Sequence, residues 1–383
     1  MAAESPLSSE SPERSPFRFV ISRVILILFG ILLAFTCLEI TMHIIPVPSY
    51  FTLTKGLEEL WEPDPELLLR LKPSQDSHIV GHPEFSFTVQ TNDDGLRDEP
   101  FEGAFDIAAI GDSFTFGFGV EMEESWPNRL EAISGKRVAN LGWAGWNSHV
   151  YPIAIRRYAI PLQTNLWIWT FFGNDLPESA GAESFITSGE TNYIEWAPQG
   201  AAAKKELSFP WSLRTFQFLV RLIKPELFLL PDSGDGVYDD GEMKMRYGNY
   251  AWETTDPTKQ EVVRGWELTK EALLEALDLS VEHEASLVVV YIPNREHVYW
   301  SYLKSVMMDV GVAQLDSVER QLHNFCVEHG IYYVNLLPPF QEKAVDGEML
   351  YFPADGHWNA AGHDFAATII FDYLNRVGLL STE

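Results

Sequence analysis

Three residues could act together as a nucleophile, a base and an orienting acid. Ser113 lies in the segment GDSFTFG, directly after an apolar run, and Asp355 and His357 lie in the segment DGHWNAAGH near the C-terminus. A serine hydroxyl becomes nucleophilic when a histidine accepts its proton, and the histidine needs a carboxylate to fix its tautomer. We therefore predict a Ser113–His357–Asp355 triad. The Asp-Gly-His segment must form a turn, because a spacing of two places side chains on opposite faces of a strand.

Two further segments supply groups that could stabilise a negatively charged carbonyl oxygen. NLGWAG places Gly145 after a second apolar run, where the missing side chain lets the backbone N–H approach a substrate closely. FFGND places Asn174 after a third run, and its side-chain amide is an uncharged donor. Taken singly, these residues fit turns and caps. Taken together with the Ser113 N–H, they predict an oxyanion hole.

A metal site is the rival interpretation of the C-terminal segment. Asp355, His357 and His363 are possible ligands, but the chain contains neither an HExxH nor a CxxC pattern. We therefore expect no metal and no cofactor. The chain also lacks the GxSxG motif that is typical of classical α/β-hydrolases.

Other polar and aromatic residues near these motifs have roles that the sequence leaves open. Arg97, in the GLRD turn, could bind an anionic substrate group, although a structural ion pair is the more common role. Trp143, Trp146 and Trp358 could pack on sugar rings, but tryptophans in such positions are at least as often in the core.

Short apolar runs precede or separate the motifs, and they position the residues named above. The runs are Phe105–Ile110, Val138–Leu141, Leu166–Phe172, Leu287–Ile292 and Ile331–Leu337. Because they are apolar on both faces, they predict a buried, mainly five-stranded parallel sheet. Before them, FSFTVQTN alternates apolar and polar residues from Phe85 to Val89 and predicts a half-buried strand.

Helical patterns lie between the strands and complete an α/β sandwich. Ser125 can cap a helix through Ile133, Val262–Val281 is amphipathic, and Asn359 can cap a last helix through Leu374. Between about residues 176 and 258 the alternation gives way to mixed sequence, which includes an apolar helix candidate at Trp211–Leu230. We interpret residues 176–258 as an insertion into a domain of residues 101–383, which residues 46–100 precede as a connector and β extension.

The N-terminus predicts a single membrane span. Residues 1–18 are rich in Ser, Pro and Glu and predict a disordered tail, whereas residues 19–45 are almost entirely apolar. A cleaved signal peptide is the alternative, but no small-residue cleavage site follows Leu38. Arg14, Arg18 and Arg23 precede the uncharged stretch Val24–Leu38 and only Lys55 follows it closely, so we expect a cytoplasmic N-terminus and a periplasmic or extracellular domain.

Composition excludes several classes of protein. The net charge is −28, nearly all of it beyond residue 45, and such an acidic surface repels nucleic acid. The chain is 46% hydrophobic and 13% aromatic, which is too apolar for a disordered protein. Its only cysteines are Cys37, inside the apolar segment, and Cys326, so we expect no disulfide.

The motifs together resemble those of the SGNH (GDSL-type) hydrolases. GDSFTFG resembles the block that carries the nucleophile, NLGWAG and FFGND the second and third blocks, and DGHWNAAGH the last, in the family's order. The resemblance implies a flavodoxin-like three-layer sandwich and no metal. It also implies ester cleavage by Ser113, His357 and Asp355, with Ser113, Gly145 and Asn174 in the oxyanion hole.

Three functional hypotheses follow. The first is a membrane-anchored serine esterase that acts on a small ester or an O-acylated extracellular glycan. The second is an O-acyltransferase that modifies a cell-surface polysaccharide with the same triad, since the short Asp-to-His spacing also resembles sugar O-acetyltransferases of this fold. The third is an inactive binding or envelope-assembly module. The sequence carries no signature of oligomeric state.

Overall fold

The computed structural model describes residues 16–44, 57–82, 84–196, 215, 236–307 and 310–380. The chain divides into two compact units: Met1–Pro48 with Glu206–Pro225, and Ser49–Lys205 with Glu226–Glu383. Residues 1–15 of the predicted tail and most of the Trp211–Leu230 helix candidate lie outside the described residues, whereas residues 16–18 of that tail are helical.

The first unit contains one long apolar helix, α1 (Pro16–Ile44). Its stretch Val20–Thr41 has a mean hydropathy of 2.5, and none of it is buried in protein. A helix of this length and composition suits a membrane span, and a signal sequence near an N-terminus shares these properties. Cys37 on α1 and the buried Cys326 are both free thiols, as expected.

The second unit contains all the described strands. In chain order they are β1 (Trp61–Asp64), β2 (Leu68–Leu71), β3 (His78–Gly81), β4 (Ser86–Val89), β5 (Ile107–Gly111), β6 (Val138–Gly142), β7 (Leu166–Phe171), β8 (Gly236–Asp239), β9 (Lys244–Tyr247), β10 (Ser286–Tyr291) and β11 (Tyr332–Asn335). Three antiparallel pairs form separate two-stranded sheets, namely β1 with β2, β3 with β4, and β8 with β9.

The other five strands form one parallel sheet in the order β11-β10-β7-β5-β6. This is the flavodoxin-like order, in which the chain first moves outward from β5 to β6 and then returns to the other side of β5. The five predicted runs are confirmed, with ends that differ by at most two residues. The strand predicted between Phe85 and Val89 is confirmed as β4, with Phe87 and Val89 buried.

Helices of the second unit cover the sheet. After α1 they are α2 (Ser113–Phe116), α3 (Trp126–Ser134), α4 (Tyr151–Ala154), α5 (Asp175–Ser188), α6 (Tyr193–Trp196), α7 (Tyr250–Glu253), α8 (Gln260–Glu282), α9 (Arg295–Val298), α10 (Trp300–Leu303), α11 (Val310–His329), α12 (Leu337–Val345) and α13 (Ala360–Arg376). A π-helical turn, Ile155–Ala159, extends α4.

The helices form the two outer layers of the sandwich. Helix α3 packs against α13, and α5 packs against α8. Right-handed crossovers place the connection from β5 to β6 on one face and the connections from β6 onward on the other. Asn359 caps α13 as predicted, since its side chain accepts a hydrogen bond from the Gly362 N–H. Helix α5 lies within the segment predicted to be an insertion.

Tryptophans fill much of the core. Trp143, Trp146 and Trp358 are 2%, 1% and 1% exposed. Because they are buried, they cannot pack on a sugar ring, and the hint of a sugar-binding role for them is wrong. Trp126, Trp167 and Trp169 are also fully buried, so these six side chains account for half of the chain's tryptophans.

Candidate active site

The predicted nucleophile, Ser113, lies in a tight turn at the carboxyl end of β5. Ser113 is the first residue of α2, and the Asp112 carboxylate caps this helix by accepting a hydrogen bond from the Phe114 N–H at 2.9 Å. Gly111 permits the turn, because a Cβ there would overlap the hydroxyl groups of Thr115 and Thr170. The packing of the strand end therefore holds the Ser113 hydroxyl at the edge of the sheet.

The three predicted triad residues form one chain of hydrogen bonds. The Ser113 Oγ lies 2.7 Å from His357 Nε2, and His357 Nδ1 lies 2.6 Å from Asp355 Oδ1. The same Asp355 oxygen accepts the His357 backbone N–H at 2.8 Å, so Asp355, Gly356 and His357 form the predicted turn. The imidazole is partly buried. Its Nε2 contacts the Ser113 hydroxyl and its Nδ1 contacts the Asp355 carboxylate.

Charge and burial oppose each other in the His357–Asp355 pair. Burial disfavours the charged imidazole, but the Asp355 carboxylate and its hydrogen bond outweigh burial and raise the pKa of His357 above its ordinary value. Burial would likewise raise the pKa of Asp355, but the His357 charge and hydrogen bonds hold it well below the usual range. The arrangement therefore favours an ionised Asp355 and a histidine that accepts protons readily.

The three predicted oxyanion donors, Ser113, Gly145 and Asn174, line one cavity together with His357. Among the described residues, the backbone N–H groups of Ser113 and Gly145 have no acceptor. Gly145 has φ +106°, and a Cβ there would meet nothing within 4 Å. Position 145 therefore requires glycine because few other residues adopt this backbone conformation, and not because a side chain would lack space. Asn174 directly precedes α5, and its Nδ2 donates to Glu178 Oε1 at 3.0 Å.

The cavity has a volume of about 580 Å³ and opens at the carboxyl edge of the parallel sheet. This edge, where the strand order reverses, is where open α/β sheets bind ligands. One set of lining residues is apolar: Phe114, Phe118, Ala144 and Phe172. Another set is polar: Asn174, Glu178, Arg246, Tyr250, Asn294, Arg295 and Glu296.

Two charged side chains from distant segments hold the loop that carries Asp355. The Glu84 carboxylate, between β3 and β4, accepts the backbone N–H groups of Ala354 at 2.7 Å and Asp355 at 2.6 Å. The Arg295 guanidinium donates to the backbone carbonyls of Phe352 at 3.2 Å, Pro353 at 3.3 Å and Asp355 at 2.9 Å. We name Glu84 and Arg295 the loop clamp, since one binds the N–H groups and the other the C=O groups of the same loop.

The loop clamp and Glu178 were not predicted from the sequence. Glu178 follows Asn174 by four residues on a helix, a spacing that can be read from sequence. Glu84 and Arg295 contact the catalytic loop only in the folded chain, and no local pattern identifies them.

Arg97 and His363 have structural roles. Arg97 is 1% exposed and donates to the backbone carbonyls of Thr88, Phe116, Gly117 and Val120. Its hydrogen-bond partners are therefore carbonyl groups, whereas an anionic ligand or an ion pair was predicted. His363 Nδ1 accepts the Trp126 N–H at 3.3 Å, and burial lowers the pKa of His363 to about 3.

The sequence from residue 109 to residue 365 matches the model of the GDSL-like Lipase/Acylhydrolase family. The chain belongs to this family. The matched segment of this GDSL-like acylhydrolase includes Ser113, Gly145, Asn174 and His357, and it begins after Glu84. Family membership supports hydrolysis of esters as the general activity. No curated protein matches the chain.

Solved structures that are similar to this chain include proteins described as members of the G-D-S-L family. A lipolytic protein of the G-D-S-L family from Veillonella parvula has 14% identity and a TM-score of 0.40, over 71% of this acylhydrolase and 100% of that chain. A GDSL-like lipase from Bacteroides thetaiotaomicron has 10% identity and a TM-score of 0.36, over 71% and 88% of the two chains.

Proposed function

We propose that this protein is a membrane-anchored serine esterase that cleaves a carboxylic ester through an acyl-enzyme. The continuous hydrogen-bond chain from Ser113 Oγ through His357 to Asp355 is the observation that carries the proposal. The three donors around the same cavity support it, because acyl transfer needs both a nucleophile and a site for the developing oxyanion.

In the proposed mechanism, His357 Nε2 takes the proton of Ser113 Oγ as the oxygen attacks the ester carbonyl. The Ser113 and Gly145 N–H groups and the Asn174 amide hold the negative oxygen of the tetrahedral intermediate. His357 then gives its proton to the departing alcohol, which leaves an acyl group on Ser113. A water molecule, activated by the same imidazole, releases the acid and restores the serine.

The lining of the cavity supports an ester of a polar alcohol. The apolar lining, Phe114, Phe118, Ala144 and Phe172, suits an acyl chain, whereas the polar lining suits hydroxyl groups. We propose an O-acylated glycan or a small polar ester as the substrate.

The proposed location is outside the cytoplasm. Helix α1 can span a bilayer, and arginines at 14, 18 and 23 favour a cytoplasmic N-terminus. Protease added to intact cells should digest the domain that follows α1. Protection of that domain in intact cells, with digestion only after lysis, would contradict this orientation.

The test is ester hydrolysis by the full chain in detergent, measured on acyl esters of graded chain length. Ser113→Ala should abolish turnover and leave the thermal unfolding midpoint unchanged. Ser301→Ala, at an exposed serine, is the matched control. Unchanged turnover in Ser113→Ala would rule out the mechanism. Adding a glycan acceptor tests the transferase hypothesis, and acylated glycan as the main product would replace esterase by transferase.

A further inference from the structure

Glu178 is placed to act on the oxyanion hole through Asn174. It lies one helical turn after Asn174 on α5, and its Oε1 accepts the Asn174 Nδ2–H at 3.0 Å. It also lines the cavity that contains Ser113 and His357. Its second oxygen, Oε2, is buried and has no hydrogen-bond partner among the described residues.

The surroundings of Glu178 disfavour a negative charge. Asp112, which caps α2, and Asp175, on α5 itself, are both buried carboxyl groups. No lysine or arginine of the described ranges forms an ion pair with Glu178, and Arg295 is engaged by loop carbonyls and by Glu296. A buried carboxylate without a cation is costly, so such a group tends to stay protonated.

The other titratable groups next to Glu178 on the neighbouring helices are tyrosines, which carry no positive charge. They are Tyr151 on α4, Tyr193 on α6 and Tyr250 on α7. Across the cavity lie His357, Arg246, Arg295 and Glu296. Burial is the main factor that raises the pKa of Glu178, to about 8, and the Asp112 charge adds to it, while the Asn174 hydrogen bond acts in the opposite direction.

We propose that Glu178 is a positioning residue that controls the oxyanion hole: its uncharged carboxyl group orients the Asn174 amide, and its ionisation disables the hole. The proposal depends on the proposed esterase function, because it concerns the same oxyanion. Glu178 touches no reacting atom in this scheme and acts through Asn174.

The effect of ionisation follows from geometry. Asn174 Nδ2 has two hydrogens. One is directed at Glu178 Oε1, and the proposed mechanism uses the other for the substrate oxyanion, although the Asn174 amide also interacts with Tyr250. Two oxygens bound to one amide nitrogen in this way lie about 5 Å apart. Two like charges at about 5 Å and an effective dielectric constant of about 20 repel strongly enough to slow the reaction by about 10²-fold. Ionised Glu178 therefore opposes the charge that the hole must stabilise.

If Glu178 acts in this way, activity should fall at alkaline pH because Glu178 ionises. In the full chain, kcat/KM should fall by about tenfold or more between about pH 8 and about pH 9.5, after correction for uncatalysed hydrolysis. In Glu178→Gln, which keeps an acceptor oxygen and has no charge, the fall should be less than about threefold. Glu183→Gln, on the same helix but at the surface, should keep the wild-type profile.

A second substitution separates orientation from charge. Glu178→Leu has no charge and no acceptor, so it should also lose the alkaline fall, but its kcat should be about tenfold or more below that of Glu178→Gln. A residue that only supports the fold would change thermal stability without removing the alkaline limb. Rescue of kcat by the glutamine variant is the signature of orientation.

Three outcomes would overturn the proposal: a flat wild-type profile, an alkaline limb unchanged in Glu178→Gln, or equal kcat in the glutamine and leucine variants. If either variant fails to fold, the wild-type profile and the remaining variant still decide. Failure of the esterase function itself has a different signature, namely no Ser113-dependent turnover by the wild type at any pH.

Discussion

Glu84 offers the sharpest test of how the loop that carries Asp355 is held. Its carboxylate accepts the N–H groups of Ala354 and Asp355 at 2.7 and 2.6 Å, and it lies outside the set of residues that line the cavity. Glu84→Gln retains one acceptor oxygen but places an NH₂ group against the second N–H. The variant thus loses one charge-assisted hydrogen bond and leaves one loop N–H without a partner.

The magnitude follows from the value of that bond. A hydrogen bond to a charged group contributes about 1.5–3 kcal/mol, and each 1.4 kcal/mol is a factor of about ten in population or rate. If the lost free energy destabilises only the loop conformation that aligns Asp355 with His357, kcat should decrease by about 10- to 100-fold. KM should change little, because Glu84 does not contact the cavity. Glu84→Ala removes both bonds and should reduce kcat further.

The assay combines kinetics with a probe of the triad. Steady-state kcat and KM are measured above the pKa of His357, and proton NMR follows the low-field signal of the His357 Nδ1–H that Asp355 binds. We expect this signal to shift or broaden in Glu84→Gln. Glu66→Gln, at an exposed carboxylate of the same N-terminal segment, is the control. A folded Glu84→Gln with wild-type kcat and an unchanged signal would refute the reasoning.

Three further predictions concern the rest of the site. Asn174→Ala should reduce kcat by about 10²–10³-fold, measured by steady-state hydrolysis, with wild-type kcat as the contrary result. Arg97→Met leaves buried carbonyls unpaired and should lower the free energy of unfolding by at least about 3 kcal/mol in a denaturant titration, whereas a surface role predicts almost no change. Activity should rise with pH as His357 loses its proton, with a midpoint above 6.5 because Asp355 raises this pKa, and Asp355→Asn should move the midpoint down.

Local patterns predicted much of the fold. The runs that became β5 and β7 are apolar on both faces, which only a sheet covered on both sides allows, and every residue of these two strands is buried. The cap at Asn359 was predictable because capping uses a side chain within three residues of its partner. Such signals depend on residues that are close in sequence, so one amino-acid sequence is enough to reveal them.

Long-range contacts were not predictable in the same way. The meeting of Ser113, Gly145 and Asn174 at one cavity could be predicted because each lies two or three residues after a strand, and parallel strands end at one edge. Glu84 has no such marker, since its partners lie 270 and 271 residues further along the chain. The tryptophans beside the motifs were given a functional role that they do not have. Their sequence position suggested contact with a substrate, whereas their volume is used to fill the core.

The loop clamp has a consequence for biosynthesis. One residue of the loop clamp, Glu84, lies in the first quarter of the chain, while the loop that it binds is among the last segments to be synthesised. During translation Ser113 is made early, when its proposed base His357 and the proposed orienting carboxylate of Asp355 are still absent. In the proposed mechanism the nascent chain therefore cannot attack esters until His357 has been synthesised and the loop has bound Glu84. A chain truncated before residue 355 should hydrolyse no ester, whether or not its sheet has formed.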